Sequence, residues 1–441
     1  MTSKMFVAKL AATAVAAVLS IGTVAPAQAV DDGKTHISVD SFGDVFLGSM
    51  IRRYQALHPD IVIDVKKYNL DDLNGTGLTT GCASGKMADI AAIEVAYAGY
   101  WRTKPQCFQD LRDLNTTVGS KSATDIKADY LPWRWSQGTA IGGSQFGIPT
   151  DVGGLEVAYR WDLFKKAGLP YKRADVSKMW PTWDKFIGVG KRYEAKLTAA
   201  QKKKNVAFMD NAGAIYSAVV NQGTAKYYAA NGSLLQLDPT KAGANKQVKA
   251  AYDATVKGLY YKIGSKIGQF TNGWYTGLNN GTFATVLAPA WMMDYIKQYA
   301  KSTSGKWDIA SIPGGGGNQG GSMLTIPKYA THTQEAWDFL TWYLAPAQQE
   351  AVFTTFGLFP STPSVYKNAA IKDKKDPFFN NAPVGAIYAA GVQKLKPIVL
   401  GPKDRAIDNI IGAALSRYAN GKQKQKAAWA QSLVEIKRAV G

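Results

Sequence analysis

The sequence is poor in the side chains that bind metals and perform covalent catalysis. It contains two cysteines and three histidines in 441 residues. The histidines, His36, His58 and His332, are isolated and belong to no visible Ser/His/Asp or metal-ligand motif. These shortages argue against a metalloenzyme or a triad hydrolase, and we expect neither a metal nor a cofactor.

Long apolar runs are also scarce, and the one that exists lies at the N-terminus. A lysine-containing start precedes the apolar run 10–24, and Ala27 and Ala29 give the small-x-small pattern of a cleavage site. A membrane anchor is the alternative, but the run is shorter than the roughly 20 residues that a spanning helix needs, and Pro26 interrupts it. We therefore predict that residues 1–29 are a secretion signal, cleaved near Ala29, and that the protein is exported.

Acidic residues are fewer than basic ones, which gives a formal net charge of +19. A nucleic-acid site is not indicated, because the positive charges are scattered and the densest run, Gln201–Lys204, has no interleaved aromatic residues. We interpret the charge as a solvated basic exterior. Weak adhesion to an anionic cell wall is a second hypothesis.

The two cysteines, Cys82 and Cys107, are 25 residues apart in a chain that we expect to be exported. Because the compartment beyond the membrane is oxidising, a disulfide is the natural assignment. The bridge would stabilise the fold by about 3 kcal/mol in the chain-entropy model. No cysteine precedes Cys82, so a lipid-anchored form is not supported.

The remaining composition is that of a folded protein of two lobes. Hydrophobic residues make up 46% of the chain and charged residues 19%, and the length exceeds what one ordinary core accommodates. The pattern predicts strands at His36–Val39, Ile61–Val65 and Ala88–Ile93, and a helix at Val45–Leu57. This alternation is typical of an α/β domain with a largely parallel sheet.

Four ordered segments resemble one known family. Tyr159–Leu169 reads YRWDLFKKAGL, and Trp180–Asp184 reads WPTWD. Asn279–Trp291 contains NNGTFA followed by PAW, and Gly321–Lys328 reads GSMLTIPK. They resemble the conserved segments of extracellular solute-binding proteins of carbohydrate ABC transporters, in the branch that contains maltose-binding protein, although Arg160 replaces the commoner asparagine. Similarity extends over most of the chain beyond the signal.

Three further segments, Gly81–Gly85, Ile93-Glu94 and Leu400–Lys403, are similar to an actinobacterial subgroup of these sugar receptors. The family resemblance implies the two-lobed periplasmic-binding-protein fold, in which discontinuous α/β lobes are joined by a hinge. We place lobe 1 at residues 31–148 plus 312–358, and lobe 2 at residues 149–311 plus 359–441. It also implies that the protein is a monomer, that a carbohydrate is its ligand, and that permease subunits of an ABC transporter are its partners.

Candidate ligand-binding residues follow from where strands are expected to end, because such folds bind ligand beyond the carboxyl ends of strands. Sugars need aromatic faces for C–H patches and fixed polar groups for hydroxyls. The candidates are Phe42, Asp44, Glu94, Tyr97, Asp151, Gly153, Trp274, Trp291, Gly320 and Gly321.

Each candidate also has a structural interpretation that the sequence leaves open. Asp44 and Asp151 are also suited to capping a helix or a turn, and Glu94 to a salt bridge at a strand end. The tryptophans are also suited to the core, and Gly320 and Gly321 to a flexible loop. Trp291 matches the family position that stacks on a sugar ring.

Two other functions are possible in principle. A secreted glycoside-active enzyme would need a pair of carboxyl groups across the scissile bond, which Glu94 and Asp151 provide on paper, but no hydrolase motif accompanies them. A receptor of the same fold for an acidic sugar, polyamine or other solute is the other alternative. We expect a binding protein and not an enzyme.

Overall fold

The computed structural model describes residues 32–440, and all the elements below belong to one contact unit that starts at Thr35. The predicted secretion signal, residues 1–29, lies outside the described residues. Among those described, no helix combines the length and apolar character needed to cross a bilayer.

The strands alternate with helices along most of the chain. They are β1 (Thr35–Phe42), β2 (Ile61–Tyr68), β3 (Ile90–Glu94), β4 (Gly147–Pro149), β5 (Leu155–Arg160), β6 (Ala207–Met209), β7 (Phe283–Pro289), β8 (Trp307–Ser311) and β9 (Ser322–Thr325).

The helices are more numerous than the strands and cover both sheets. They are α1 (Gly48–Leu57), α2 (Leu78–Ser84), α3 (Val95–Trp101), α4 (Ala123–Ile126), α5 (Pro132–Gln137), α6 (Trp161–Lys166), α7 (Arg173–Met179), α8 (Trp183–Lys196), α9 (Ala199–Lys203), α10 (Ala214–Val220), α11 (Lys246–Tyr260), α12 (Asn272–Asn280), α13 (Met292–Tyr299), α14 (Thr333–Tyr343), α15 (Pro346–Phe356), α16 (Ala369–Lys372), α17 (Val384–Val392), α18 (Asp404–Ala419) and α19 (Gln425–Val440). Asp72–Gly77 forms a π-helical turn, and 3₁₀ turns lie at Pro105–Cys107, Leu111–Asp113, Lys127–Asp129, Lys301–Thr303, Pro363–Lys367 and Pro377–Phe379.

The strands form two mixed sheets. The first has the order β2-β1-β3-β9-β4, and the second has the order β6-β7-β5-β8. The prediction of a largely parallel sheet is wrong. In the first sheet β1 pairs parallel with β2 and β3, whereas β9 pairs antiparallel with β3 and β4. The reason is that β9 enters the first sheet from the second one, and not through a crossover helix of its own lobe.

The chain passes between the sheets three times, and the passing segments lie side by side. Residues 150–154 lead from β4 to β5, residues 312–321 lead from β8 to β9, and residues 357–361 follow α15. The backbone of Val152 donates to the carbonyl of Phe359 at 2.8 Å, and the backbone of Gln319 donates to that of Gly153 at 2.8 Å. The lobe boundaries proposed above stay predictions.

Local sequence explains where the elements begin and end. In β3 every residue from Ile90 to Ile93 is buried, as expected for a strand covered on both faces. Thr182 caps α8 by accepting a hydrogen bond from the backbone of Lys185 at 3.3 Å. The predicted helix at Val45 begins only at Gly48, because Leu47 has extended backbone angles, although the Leu47 side chain is still buried.

Two pairs of hydrophobic clusters stabilise the sheets. Around the first sheet, Ile37, Ile90 and Leu324 pack with the aromatic residues of α14. A second cluster on that sheet surrounds Trp101 and Phe108. The predicted disulfide is confirmed: Cys82 and Cys107 are bonded, with their Cα atoms 5.3 Å apart, and Cys107 belongs to this cluster.

Candidate functional site

A cavity of about 700 Å³ lies between the two sheets. Its walls come from the ends of β1 and β3, from the three passing segments, and from α13 and α18. Because both sheets contribute, a molecule in the cavity would contact both sides at once. Clefts of this size and position are typical of small-molecule binding sites.

The structure brings most of the predicted residues together in the wall of this cavity. Those that line it are Phe42, Asp44, Glu94, Asp151, Trp291, Gly320 and Gly321.

Three predicted residues do not line the cavity. Trp274 is completely buried in the core of the second sheet, and its indole N–H donates to Asp210 at 2.9 Å. At Gly153 any Cβ would lie 1.8 Å from the carbonyl oxygen of Gln319. The absence of a side chain therefore lets the first and second passing segments lie close to each other. The hydroxyl of Tyr97 donates to Asp71 at 2.6 Å, beside the cavity.

One end of the cavity, which we call the aromatic end, is formed by Phe270, Trp291 and Tyr295. The rings of Phe270 and Trp291 stack with centroids 6.2 Å apart, and Tyr295 meets Trp291 edge-on at 6.0 Å. The indole N–H of Trp291 donates to the carbonyl of Gln319 at 3.1 Å, which fixes the ring. Phe270 is 45% exposed. Its backbone has a φ of 62°, which is strained for a residue with a side chain, and such strain clusters at binding sites.

Two carboxylates flank the aromatic end. Asp44 forms an exposed ion pair of 2.8 Å with Lys67. Asp294 lies on α13, and burial raises its pKa. Aromatic faces beside hydrogen-bond acceptors suit a molecule with both C–H patches and hydroxyls.

A second part of the wall, which we call the polar end, contains an ion pair between Lys226 and Asp408, whose side chains are 10% and 26% exposed. The ammonium of Lys226 lies 2.6 Å from one oxygen of Asp408, and the hydroxyl of Tyr227 donates to the other oxygen at 2.6 Å. Glu94 ends β3 and caps α3 by accepting from the backbone of Ala96 at 2.6 Å. Burial raises the pKa of Glu94 to about 7.

Asp404 adds a second buried carboxylate to the polar end. It is 2% exposed, and one oxygen accepts from the backbone of Gly401 at 3.1 Å. The other oxygen, Oδ1, has no hydrogen-bond partner in the part of the chain that the structure describes. Burial raises the pKa of Asp404 to about 7.

Asp151 lies between the two ends, on the first passing segment. One of its oxygens accepts from the hydroxyl of Thr150 at 2.6 Å and from the backbone of Ser322 at 3.2 Å. The fully buried Arg134 donates to the carbonyl of Ser322 at 2.8 Å. Asp151 therefore connects the first passing segment to the start of β9, and it also lines the cavity.

A segment between α17 and α18 covers the polar end. Val399 packs against the core of the second sheet, and its neighbour Leu400 packs against the Trp101 cluster of the first sheet. Just beyond, Arg405 forms an ion pair of 2.8 Å with Asp71, which follows β2. This segment, residues 396–405, therefore connects the two walls at the cavity mouth.

Sequence reasoning missed several residues of the cavity wall, namely Lys226, Phe270, Asp294, Tyr295, Asp404, Arg405 and Asp408. Trp291, Asp294 and Tyr295 are spaced i, i+3 and i+4, so the start of a helix at Trp291 would have indicated a shared face. Asp404 and Asp408 have the same i, i+4 relation on α18. No group of three or more potential metal ligands occurs among residues 32–440.

The fold and cavity are those of a two-lobed binding protein, and comparison with known proteins gives the family. Residues 49–380 match the model of the family described as bacterial extracellular solute-binding protein. The chain belongs to this family, and its site of action is therefore outside the cytoplasm.

Characterised relatives cover nearly the whole chain. A lactose-binding protein of Rhizobium radiobacter is 24% identical over 394 residues, which are 86% of each chain. An arabinooligosaccharide-binding protein of Bacillus subtilis (strain 168) is 22% identical over 383 residues, which are 83% of each chain.

Solved structures share the fold. A crystal structure of an extracellular solute-binding protein of family 1 is 33% identical, with a TM-score of 0.77 over 92% of this chain and 100% of that one. The ABC-transporter-associated binding protein of B. animalis subsp. lactis Bl-04, in complex with β-1,6-galactobiose, is 21% identical, with a TM-score of 0.75 over 92% and 98% of the two chains. The predicted two-lobed α/β fold is confirmed.

Proposed function

We propose that this protein is an extracytoplasmic receptor that captures a mono- or oligosaccharide between its two lobes and delivers it to the permease of an ABC importer. The observation that carries the proposal is the cavity itself, which places an aromatic wall and carboxylate acceptors around one space. Relatives named for binding lactose and arabinooligosaccharides support the same ligand class.

The mechanism is binding without chemical change. The first sheet supplies Phe42, Asp44 and Glu94, and the second sheet's side supplies Trp291 and Asp404. A sugar makes both sets of contacts only when the walls are close. Ligand therefore shifts the population towards the closed arrangement by its difference in affinity for the two arrangements.

The closed form is then the form that a transporter recognises, and separate ATPase subunits of that transporter drive import. We propose that the protein works as a monomer, that residues 1–29 are removed on export, and that the mature chain starts at Val30. N-terminal sequencing and the hydrodynamic mass of protein recovered from the native host test these points.

A thermal-shift screen against a panel of neutral sugars tests the central proposal. A ligand that binds only the folded state raises the apparent stability, by about 2.7 kcal/mol at a hundredfold excess over Kd. Calorimetric titration then gives the affinity of each hit. The proposal fails if no saccharide binds saturably, or if a bound saccharide is cleaved with steady turnover.

A further inference from the structure

The polar end of the cavity carries more negative than positive charge, although the whole chain has a net charge of +19. Lys226 lies within electrostatic range of three carboxylates at once. The charged groups gathered there are Asp71, Glu94, Arg134, Lys226, Asp404, Arg405 and Asp408. Arg134 is fully buried and donates to the carbonyl of Ser322 at 2.8 Å.

Lys226 and Arg405, the two of these cations that line the cavity, are already in ion pairs. The ammonium of Lys226 is bonded to Asp408 at 2.6 Å, and its side chain is only 10% exposed. The guanidinium of Arg405 contacts both oxygens of Asp71, at 2.8 and 2.9 Å. Lys226 cannot neutralise an additional anion without giving up Asp408, whereas the Nε atom of Arg405 has no hydrogen-bond partner among the described residues. The cavity wall nevertheless carries six carboxylates, Asp44, Glu94, Asp151, Asp294, Asp404 and Asp408, against three cations, Lys226, Lys396 and Arg405.

Two carboxylates at the same end have no ion pair among the described residues. Glu94 accepts a hydrogen bond from a backbone N–H, and Asp404 accepts one from another. The Oδ1 atom of Asp404 is buried, belongs to a residue of the cavity wall and has no hydrogen-bond partner within residues 32–440. An unsatisfied buried acceptor is costly, and a hydroxyl of a bound molecule would satisfy it.

The aromatic end offers an anion no compensation. Asp44 and Asp294 line it, and the neighbouring cation Lys67 is paired with Asp44. Lys396 is exposed and lies in the segment that covers the mouth. A negative group would therefore meet carboxylates at either end of the cavity.

We propose that this cavity selects its ligand by charge, that it takes uncharged saccharides and excludes those bearing a carboxylate, and that Glu94 and Asp404 are the residues that determine this selectivity. The inference rests on the proposed receptor function. A hydroxyl donates a hydrogen bond to each carboxylate, whereas a uronate has no proton to donate and brings a like charge into a partly desolvated space.

The test uses lactose, and lactose with the primary hydroxyl of each ring oxidised to a carboxylate. Oxidising both rings places a carboxylate towards the polar end whichever way the sugar lies. Titrations at about pH 8 keep Glu94 and Asp404 ionised, since the pKa of each is about 7. For the wild type we expect the oxidised sugar to bind at least about tenfold more weakly than its neutral parent.

The variants Glu94→Gln and Asp404→Asn, alone and combined, keep the backbone-capping oxygens but remove the charge. The measured quantity is the Kd of the oxidised sugar divided by the Kd of its neutral parent. In the double variant we expect this ratio to fall at least about threefold from its wild-type value. Asp184→Asn is the matched control, because it removes one negative charge from an exposed ion pair on α8, outside the cavity. The single variants serve if the double variant does not fold.

The outcomes separate the two proposals. Equal or tighter binding of an oxidised sugar overturns the charge selectivity and leaves a sugar receptor. If the ratio of the two dissociation constants is unchanged in the folded variants, Glu94 and Asp404 do not determine the charge selectivity. Absence of binding by every neutral and oxidised saccharide, lactose included, defeats the receptor function itself.

Discussion

The aromatic end and the polar end of the cavity are built in different ways. The aromatic end comes mostly from one stretch of chain, in which Trp291 directly precedes α13 and Asp294 and Tyr295 lie in its first turn. The polar end is assembled from β3, from Lys226 and from α18, which are more than a hundred residues apart. A local motif thus provides apolar surface, whereas buried charge requires several distant segments to meet.

The largest effect is expected at the polar end, for Lys226→Met. Removing this ammonium leaves Asp408, Asp404 and Glu94 without their shared cation, and breaking a buried pair typically costs about 3–5 kcal/mol. The free energy of unfolding in urea at neutral pH measures the loss.

Lys257→Met is its control, because Lys257 pairs with Asp184 on the exposed surface. That change should cost at most about 1 kcal/mol. Equal losses in the two variants would mean that the Lys226 pair is no more important than a surface pair.

At the aromatic end, Trp291→Ala should weaken sugar binding by about 1–3 kcal/mol, because a ring that offers a flat apolar face is lost. Calorimetric titration with the best sugar of the panel measures it. Trp342→Ala, in α14 and outside the cavity wall, should leave affinity unchanged. Undiminished affinity in Trp291→Ala would remove this ring from the site.

The third prediction concerns pH. Burial raises the pKa of Glu94 from 4.5 to about 7, so the folded state binds more protons than the unfolded state between these values. Stability should therefore fall as pH rises through this window, and the loss is complete above about pH 7.

Glu94→Gln should flatten this part of the stability profile, by about 1–2 kcal/mol between pH 5 and 7.5. Urea unfolding at several pH values measures it. A profile identical to that of the wild type would show that Glu94 does not titrate abnormally.

The smallest effect is expected where the two walls meet, at the ion pair of Arg405 and Asp71. Both side chains are partly exposed, at 38% and 55%. Arg405→Gln should therefore weaken ligand affinity by at most about 1 kcal/mol, and the difference from wild type should shrink at high salt. A difference that is constant from low to high salt would exclude an electrostatic role for the pair.

Most of the fold was accessible to sequence reasoning, because its signals are local. The apolar run of β3 and the helical spacing of the apolar residues in α1 each depend on a few neighbouring residues. The direction of β9 in the first sheet was not accessible, since it depends on a crossing from the other sheet.

Among the residues that line the cavity, sequence reasoning reached those that follow strands or belong to recognisable segments, such as Phe42, Glu94, Asp151 and Trp291. The burial of Trp274 in the core and the proximity of Lys226 to Asp404 and Asp408 could be seen only in the folded chain. The physical reason is that a side chain's exposure and ion-pair partners depend on which distant segments pack against it. Spacing along a single chain does not contain that information.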